Sequence, residues 1–385
     1  MTDYHPGLDG VIATESSISD IDGKKGILSY RGYSIEELAQ KSTFEETAYL
    51  VLTGELPSST ELQDFTKQIN KRRDLPSGLI NLLQTLPKNT KSIDVLQLSI
   101  SSLGSFYPIE FDAEKLNQGK YTKDYFLELS AGIIGSVGSI VAAWNRIKNN
   151  KDYIKPVDKL SYAENFMHML DDEITTTPLV NRIVDATFIL HAEHTINAST
   201  FTAMVTSSTL ANPTQVISSA IGSLSGPLHG GANQKVVSML EEIKSKDNVS
   251  SWLDKRLSDK QVVWGMGHRE YSTKDPRANI LTNMVGELFK EQSGKVSSMF
   301  ETAMALEKAC DAKLSKKGVY ANVDFYSGIL YKEIGIPVDL FTTLFAISRT
   351  SGWLAHWIEQ VSNNKIFRPT QNYVGSKPRQ YKQKD

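Results

Sequence analysis

Apolar residues recur every three or four positions along most of the chain, which is the spacing of one face of an α-helix. A clear example begins at Phe44, where Ala48, Val51 and Leu52 share a face and Gly54 ends the pattern. Similar stretches lie at about residues 77–86, 92–103, 123–148, 179–190, 199–210, 214–224, 234–243, 277–289, 296–312, 327–334 and 338–360. The pattern as a whole predicts an all-α protein.

The sequence also indicates where two of these helices begin. Ser42 and Glu45 have the spacing of a capping box, and Ser58 and Glu61 repeat it. In such a box the hydroxyl and carboxylate side chains bond each other's backbone N–H groups at the start of a helix. We therefore expect one helix to begin after Ser42 and the next after Ser58.

The exception to the helical pattern lies between residues 10 and 33. Alternating apolar and polar residues at 11–14, 17–19 and 26–30 surround Asp22-Gly23, which is a hairpin turn signal. We expect a small β element there. The sequence shows no repeat with a period of about 20–50 residues and no linker rich in proline, glycine or serine. Any second domain is therefore predicted to be an insertion.

Composition excludes several classes of protein. The 385 residues carry a net charge of -2, so no overall cationic field attracts nucleic acid or an anionic membrane. The apolar run at 131–143 is too short to span a bilayer and predicts a buried helix. A single cysteine, Cys310, excludes an internal disulfide and favours the cytoplasm.

Two histidines and one carboxylate stand in glycine-rich or apolar segments. His229 lies in Gly-Pro-Leu-His-Gly-Gly-Ala, His268 in Gly-Met-Gly-His-Arg, and Asp324 in Asn-Val-Asp-Phe-Tyr. A carboxylate can remove a proton next to a carbonyl group while imidazoles donate hydrogen bonds to the oxygen that gains charge. Each segment alone also fits a structural role, with His229 packed at a helix start and Asp324 as an N-cap.

Basic residues near these segments suggest anion binding. The segment that follows His268 contains Arg269 and Arg277, which suit phosphates or carboxylates, and no strand precedes it as a Rossmann fingerprint requires. Arg349 lies in an apolar helix and needs an anionic partner there. Arg368 on its own fits an ordinary surface residue.

The remaining histidines do not predict a metal site. His191 and His194 are three positions apart, but no third ligand accompanies them, so we expect no metal. We interpret His168, His191 and His356 as packed core histidines.

These segments, in this order and together with Phe-Ala-Ile-Ser-Arg349-Thr-Ser-Gly-Trp, resemble those of citrate synthases, most of all the short bacterial and archaeal members. The likeness extends from residue 7 to Arg368. It implies a large helical domain of residues 1–228 and 333–385, and a smaller helical domain, 229–332, that covers the active-site cleft. Because the chain starts close to the family's common core, we also expect a homodimer without NADH control.

The resemblance implies condensation of acetyl-CoA with oxaloacetate and hydrolysis of citryl-CoA to citrate and CoA, a reaction of the tricarboxylic acid cycle. No tightly bound cofactor is implied. Asp324 would take the methyl proton, His229 would hydrogen-bond the thioester oxygen, and His268 would polarise and protonate the ketone. Oxaloacetate would be held by His194, Arg277, Arg349 and, from the partner subunit, Arg368. The implied CoA contacts are Met266, Gly267, Arg269, Lys316 and Lys317.

Two departures from the family pattern leave substrate preference open. Ala321 stands where relatives commonly have proline, and Thr195 stands where many have glutamate. One alternative is a 2-methylcitrate synthase, which uses propionyl-CoA and differs by room for one methyl group, worth about 1–3 kcal/mol. Another is a catalytically silent helical dimer that binds CoA or a partner protein.

Overall fold

The structure is a computed structural model that describes residues 4–109, 111–174, 176–291, 294 and 296–381. Within these residues the chain forms seventeen α-helices and one small antiparallel sheet, so the all-α prediction is confirmed. The helices are α1 (Ile35–Lys41), α2 (Phe44–Thr53), α3 (Ser59–Asn70), α4 (Ser77–Thr85), α5 (Ser92–Phe106), α6 (Ala113–Asn117), α7 (Lys123–Lys148), α8 (Tyr162–Leu170), α9 (Pro178–His191), α10 (Ala198–Ser208), α11 (Pro213–Leu224), α12 (Ala232–Ile243), α13 (Val249–Ser258), α14 (Pro276–Glu291), α15 (Ser298–Leu314), α16 (Val323–Glu333) and α17 (Phe341–Ser362).

The predicted β element is present as three strands in the order β1 (Ser19–Asp22), β2 (Ile27–Tyr30) and β3 (Tyr33–Ser34). The hairpin turn follows Asp22, whose carboxylate accepts hydrogen bonds from the backbone N–H groups of Lys24 and Lys25. Residues 11–14 lie outside the strands, so the β element begins later in the chain than the sequence predicts.

The hairpin turn contacts the segment that follows His268. The backbone N–H of Ser272 donates to the carbonyl oxygen of Gly23 at 3.0 Å. A Cβ atom on Gly23 would lie 1.8 Å from the carbonyl oxygen of Glu270, so only glycine fits at this point. The β element therefore supports the loop that carries one of the candidate catalytic histidines.

One of the two predicted capping boxes is confirmed and the other is displaced. Ser58 and Glu61 cap α3 as expected. At α2 the box is formed by Thr43 and Glu46, one residue later than Ser42 and Glu45. The reason is that Glu45 is buried and its carboxylate accepts the backbone N–H of Tyr162 at 2.6 Å.

The two longest helices, α7 and α17, form the centre of the core and pack against each other. By length and composition α7 could cross a membrane, but 78% of its most apolar window is buried inside the protein. Its small residues let neighbours approach, since a Cβ atom on Gly135 would lie 2.3 Å from the carbonyl oxygen of Ile69. The prediction of a buried helix at 131–143 is confirmed.

Helix α16 begins at Val323, four residues before the start predicted from its apolar pattern. The side chain of Asn322 caps the helix by accepting the backbone N–H of Asp324 at 3.0 Å. Asp324 therefore lies in the first turn, and the alternative in which Asp324 itself is the N-cap is wrong.

Candidate active site

The loop of His268 is fixed to the start of α16 by backbone pairing. Gly267 N–H donates to the carbonyl oxygen of Tyr320 at 2.7 Å, and Asn322 N–H donates to that of Gly265 at 2.9 Å. Gly265 and Gly267 have φ angles of 78° and 89°, which favour glycine. This pairing places the segments of His268 and Asp324 side by side.

The Asp275 carboxylate forms an ion pair at the start of α14 and also holds the start of α16. The Asp275 carboxylate accepts hydrogen bonds from Nε and Nη2 of Arg277 at 3.0 and 2.8 Å, and also from the backbone N–H of Val323. Burial raises the pKa of Asp275, but the attraction and hydrogen bonds of Arg277 outweigh burial and lower it overall. Among the described residues, Nη1 of Arg277 has no hydrogen-bond partner and remains available to an anion.

His194 follows the end of α9 and lies beside His268, with 5.0 Å between the ring centroids. The next residue, Thr195, has a φ of 49°, and its N–H donates to the hydroxyl of Ser19 in β1. The His194 Nε2 atom is 3.1 Å from the hydroxyl oxygen of Tyr271. Burial, followed by the positive charge of Arg277, holds the pKa of His194 well below its usual value, so the ring is neutral.

His268 accepts the backbone N–H of Glu270 on Nδ1 at 3.0 Å. A neutral imidazole that accepts on one nitrogen carries its proton on the other, so Nε2–H is left as a donor. Burial and the nearby Arg277 lower the pKa of His268 to about 4. The ring is therefore a neutral hydrogen-bond donor at physiological pH.

His229 is also a neutral hydrogen-bond donor, but it accepts on Nε2 and donates from Nδ1. Its Nε2 atom lies 2.8 Å from the Ser199 hydroxyl and accepts the Ser199 backbone N–H at 3.3 Å. The Ser199 hydroxyl oxygen accepts the indole N–H of Trp353, and its own proton is donated to Oδ1 of Asn197 at 2.8 Å. The backbone N–H of Ser199 is therefore the donor that makes Nε2 of His229 an acceptor. Nδ1–H of His229 then remains free to donate. Burial and Arg349 lower the pKa of His229 to about 4.

Asp324 has an environment suited to a base. Burial raises its pKa to about 6, although the positive charge of Arg277 opposes this. Within the described part of the chain no hydrogen bond reaches its carboxyl group. The carboxylate is consequently ionised near neutral pH and is not engaged by another side chain.

Arg349 is buried in α17 and has no ion-pair partner within the residues that the structure describes. Its Nε–H donates to the carbonyl oxygen of His191 at 2.7 Å, and its guanidinium lies 4.6 Å from the ring centroid of Phe345. Burial lowers the pKa of Arg349 to about 10, and the negative charge of Glu193 is the largest effect that acts in the opposite direction. A buried cation with free Nη atoms is a binding point for an anionic ligand.

The charges of Arg277 and Arg349 influence the pKa of nearly every group above, which places six predicted residues in one region. These are His194, His229, His268, Arg277, Asp324 and Arg349.

Arg368 is exposed in the segment after α17. That segment is fixed to α10 by Phe367, whose ring lies 5.5 Å from that of Phe201 and whose N–H donates to Ser208. No described contact within the single chain joins Arg368 to the other six residues.

The predicted CoA contacts lie in the loop of His268 and in the short segment that follows α15. Met266 forms a β-bridge with Ala321, beside Gly267. Arg269 is exposed, as are Lys316 and Lys317 in a one-turn 3₁₀ helix.

Four residues that hold the site together have no role predicted from the sequence, namely Ser199, Tyr271, Asp275 and Asn322. The spacing Asn322-x-Asp324 is a recognisable cap, and Asp275 pairs with the nearby Arg277. The contacts of Ser199 with His229 and of Tyr271 with His194 join distant segments. Among the histidines interpreted as core residues, His191 and His356 are buried, whereas His168 is exposed and that interpretation is wrong. No group of three or more potential metal ligands occurs among the described residues.

A helical fold that combines an unpaired carboxylate, neutral imidazole donors and buried guanidinium groups defines an enzyme that acts on a carbon acid and an anionic partner. The family model for the C-terminal domain of citrate synthase matches residues 7–370. The citrate synthase of Acidithiobacillus ferridurans is 46% identical over 379 residues, covering 98% of this chain and 97% of that protein. That of Synechocystis is 45% identical over 378 residues, covering 97% and 92%.

Solved structures that resemble this chain are also citrate synthases. The citrate synthase of Pyrobaculum aerophilum has a TM-score of 0.91 at 36% identity, covering 98% of this chain and 93% of that one. The ternary complex of carboxymethyl coenzyme A and oxaloacetate with the Thermoplasma acidophilum citrate synthase has a TM-score of 0.90 at 32% identity and covers 98% of both chains. The chain belongs to the citrate synthase family. It is an acyltransferase of that type, which condenses acetyl-CoA with oxaloacetate and releases citrate and CoA.

Proposed function

We propose that Asp324, His229 and His268 carry the condensation. The observation that supports this assignment most is the combination of a raised carboxyl pKa with two imidazoles that are neutral and keep a free N–H. A carboxylate alone is a weak base toward the methyl group of a thioester. Donors directed at the oxygen that gains charge lower the barrier, and such donors act most strongly in a site closed to water.

In the first step the Asp324 carboxylate takes a methyl proton of acetyl-CoA. The electron pair of the broken C–H bond moves into the enolate, whose oxygen accepts a hydrogen bond from Nδ1–H of His229. A low pKa is useful here because the ring stays neutral and its single free proton stays on the nitrogen that faces the substrate.

In the second step the enolate carbon forms a bond to the ketone carbon of oxaloacetate. Nε2–H of His268 hydrogen-bonds the ketone oxygen and supplies its proton as the C=O double bond becomes a C–O single bond. Water then cleaves the thioester of citryl-CoA to citrate and CoA, and proton exchange with solvent returns Asp324 to the carboxylate and His268 to the neutral imidazole. His194, Arg277 and Arg349 hold oxaloacetate, the arginines through its carboxylates.

CoA binding is assigned to the loop of His268 and its neighbours. The backbone at Met266 and Gly267 faces the adenine or the pantetheine arm. Arg269, Lys316 and Lys317 are exposed and positively charged, which supports a role in binding the phosphates of CoA. No tightly bound cofactor is needed in this scheme.

Residues 229–332 form the smaller domain in this proposal. Helices α12 to α16 pack mainly on one another, and the turn of the β element and the start of α17 are among the points where the larger part of the chain contacts them. Closure of this unit over oxaloacetate would exclude water before the methyl proton is removed.

The protein is proposed to be a cytoplasmic homodimer that serves the tricarboxylic acid cycle. Helices α5, α10 and α11 pack together and expose apolar side chains such as Leu98 and Val205. The segment after α17 also exposes apolar side chains, with Val374 89% exposed. Contact with a second chain would bury these groups and bring Arg368 to the partner's site.

Mixed dimers test the proposed contribution of Arg368. Arg368→Gln and Asp324→Asn should each inactivate a homodimer, because each damages both sites. If the site takes Arg368 from the partner, a heterodimer has one intact site and one with both changes. Co-expression should then restore about a quarter of wild-type activity in the random mixture, and about half in heterodimers isolated through two different affinity tags.

The matched control pairs Asp324→Asn with His229→Ala, because one chain supplies both of these residues to its own site. Every heterodimer site in this pair carries one change, so activity should not return. Equal recovery in both mixtures, or none in either while dimers form, would exclude a shared site.

The pH dependence of kcat/KM tests the assignment of the base. Asp324 must be ionised to accept a proton, so activity should be lost as pH falls through its raised pKa of about 6. His229 and His268, with pKa values of about 4, should stay neutral throughout this range. The enthalpy of ionisation is close to zero for a carboxyl group and substantial for an imidazole. If the base is Asp324, the acidic limb of the pH profile should therefore stay at the same pH when the temperature changes. A limb that moves strongly with temperature would indicate a histidine.

A further inference from the structure

Tyr271 is a buried tyrosine in the active site to which the scheme above gives no role. It lies three residues after His268 and is 2% exposed. Its ring contacts both imidazoles, with centroids 4.8 Å from that of His268 and 5.6 Å from that of His194. The three rings therefore form one packed cluster in which Tyr271 is the only member with a hydroxyl group.

The hydroxyl of Tyr271 has one hydrogen-bond partner among the described residues, Nε2 of His194 at 3.1 Å. If His194 carried its proton on Nε2, the O–H group of Tyr271 would be buried without an acceptor, which is costly. If the hydroxyl donates to Nε2, both groups are satisfied. The second arrangement leaves the proton of His194 on Nδ1, for which the described residues provide no acceptor.

The same arrangement recurs at the other two histidines. His229 accepts the backbone N–H of Ser199 on Nε2, and His268 accepts the backbone N–H of Glu270 on Nδ1. Each ring is thereby fixed in one tautomer and keeps one N–H for a ligand. Tyr271 supplies to His194 what the backbone supplies to His268, but from a residue that can be changed by mutation.

We propose that Tyr271 is a positioning residue that fixes His194 in the Nδ1–H tautomer and so presents that N–H to the keto acid. The inference rests on the proposed role of His194 in holding oxaloacetate. It adds a contact between the segment at 265–275 and the end of α9, since the hydroxyl reaches from one to the other.

Tyr271→Phe removes the hydroxyl and keeps the ring. The KM for oxaloacetate should rise about tenfold, equivalent to about 1.4 kcal/mol. The reason is that the His194 N–H binds the keto acid equally in the ground state and in the transition state. The kcat and the KM for acetyl-CoA should change much less. The matched control is Tyr162→Phe, which removes another buried hydroxyl hydrogen bond, to the carbonyl oxygen of Ile134, and should leave both KM values unchanged.

His194→Asn separates positioning from a general effect on structure. The asparagine amide can place an N–H near the position of Nδ1 but has no atom that Tyr271 can fix. Adding Tyr271→Phe to His194→Asn should therefore cause no further rise in KM. A full additional tenfold rise in the double variant would overturn the inference.

The outcomes distinguish this inference from the proposal beneath it. If His194→Ala, which removes the donor, leaves the oxaloacetate KM unchanged, the role of His194 is wrong. If His194→Ala raises this KM while Tyr271→Phe does not, only the inference about Tyr271 is overturned. Should Tyr271→Phe fail to fold, nitrogen-15 spectra of histidine-labelled wild-type protein decide the matter, with His194→Asn used for assignment. A protonated Nδ1 is expected, and a protonated Nε2 would contradict the proposal.

Discussion

Asp324→Asn should slow condensation by about 10²- to 10⁴-fold, the range that a positioned acid or base contributes. The amide has nearly the same shape as the carboxylate but cannot accept the methyl proton. Oxaloacetate binding should persist because Arg277, Arg349 and His194 are unchanged. Turnover would be measured by thiol release, and oxaloacetate affinity by calorimetry on the same preparation.

Asp185→Asn is the matched control for this change. Asp185 is also buried, and burial raises its pKa to about 7. It accepts the backbone N–H of Phe44 and pairs with Arg182, away from the site residues. Its replacement should leave kcat per folded molecule close to wild type. Near-wild-type turnover by Asp324→Asn would remove Asp324 from the role of base.

His229→Ala should lower kcat by about 10²- to 10³-fold, the effect of removing one donor from a developing oxyanion. His229→Asn is expected to recover part of this loss, because its amide nitrogen can lie near the position of Nδ1. Steady-state kcat for both variants, with oxaloacetate affinity measured in parallel, checks the prediction.

A packing role for His229 leads to a different result. The imidazole contacts Phe345 and the start of α10, so simple loss of packing would lower the kcat of both variants equally and weaken oxaloacetate binding as well. That pattern would contradict a donor role for Nδ1.

The long helices could be predicted from the sequence because their apolar faces repeat over many turns. Helices α1, α6, α8 and α13 were not predicted. Most of them are short, and α13 buries only Val249 and Leu253 among its residues, so the period is weak. The shifted capping box at α2 has a tertiary cause. Glu45 bonds Tyr162, which is 117 residues away, and no local pattern contains that contact.

The site could be predicted in part for similar reasons. Asp324, His229 and His268 lie in distinctive local segments, which the resemblance to citrate synthases combined. The partners that set their protonation are less visible. The Ser199 groups that fix His229 are 30 residues away from it, and Tyr271 is 77 residues from His194. Such pairings arise only when the fold brings separate segments together.

The most direct test of the central claim is thiol release by purified protein from acetyl-CoA and from propionyl-CoA, each with and without oxaloacetate. The account predicts release that depends on oxaloacetate and is faster with acetyl-CoA. Release that is independent of oxaloacetate, a preference for propionyl-CoA, or no release from either thioester would contradict it.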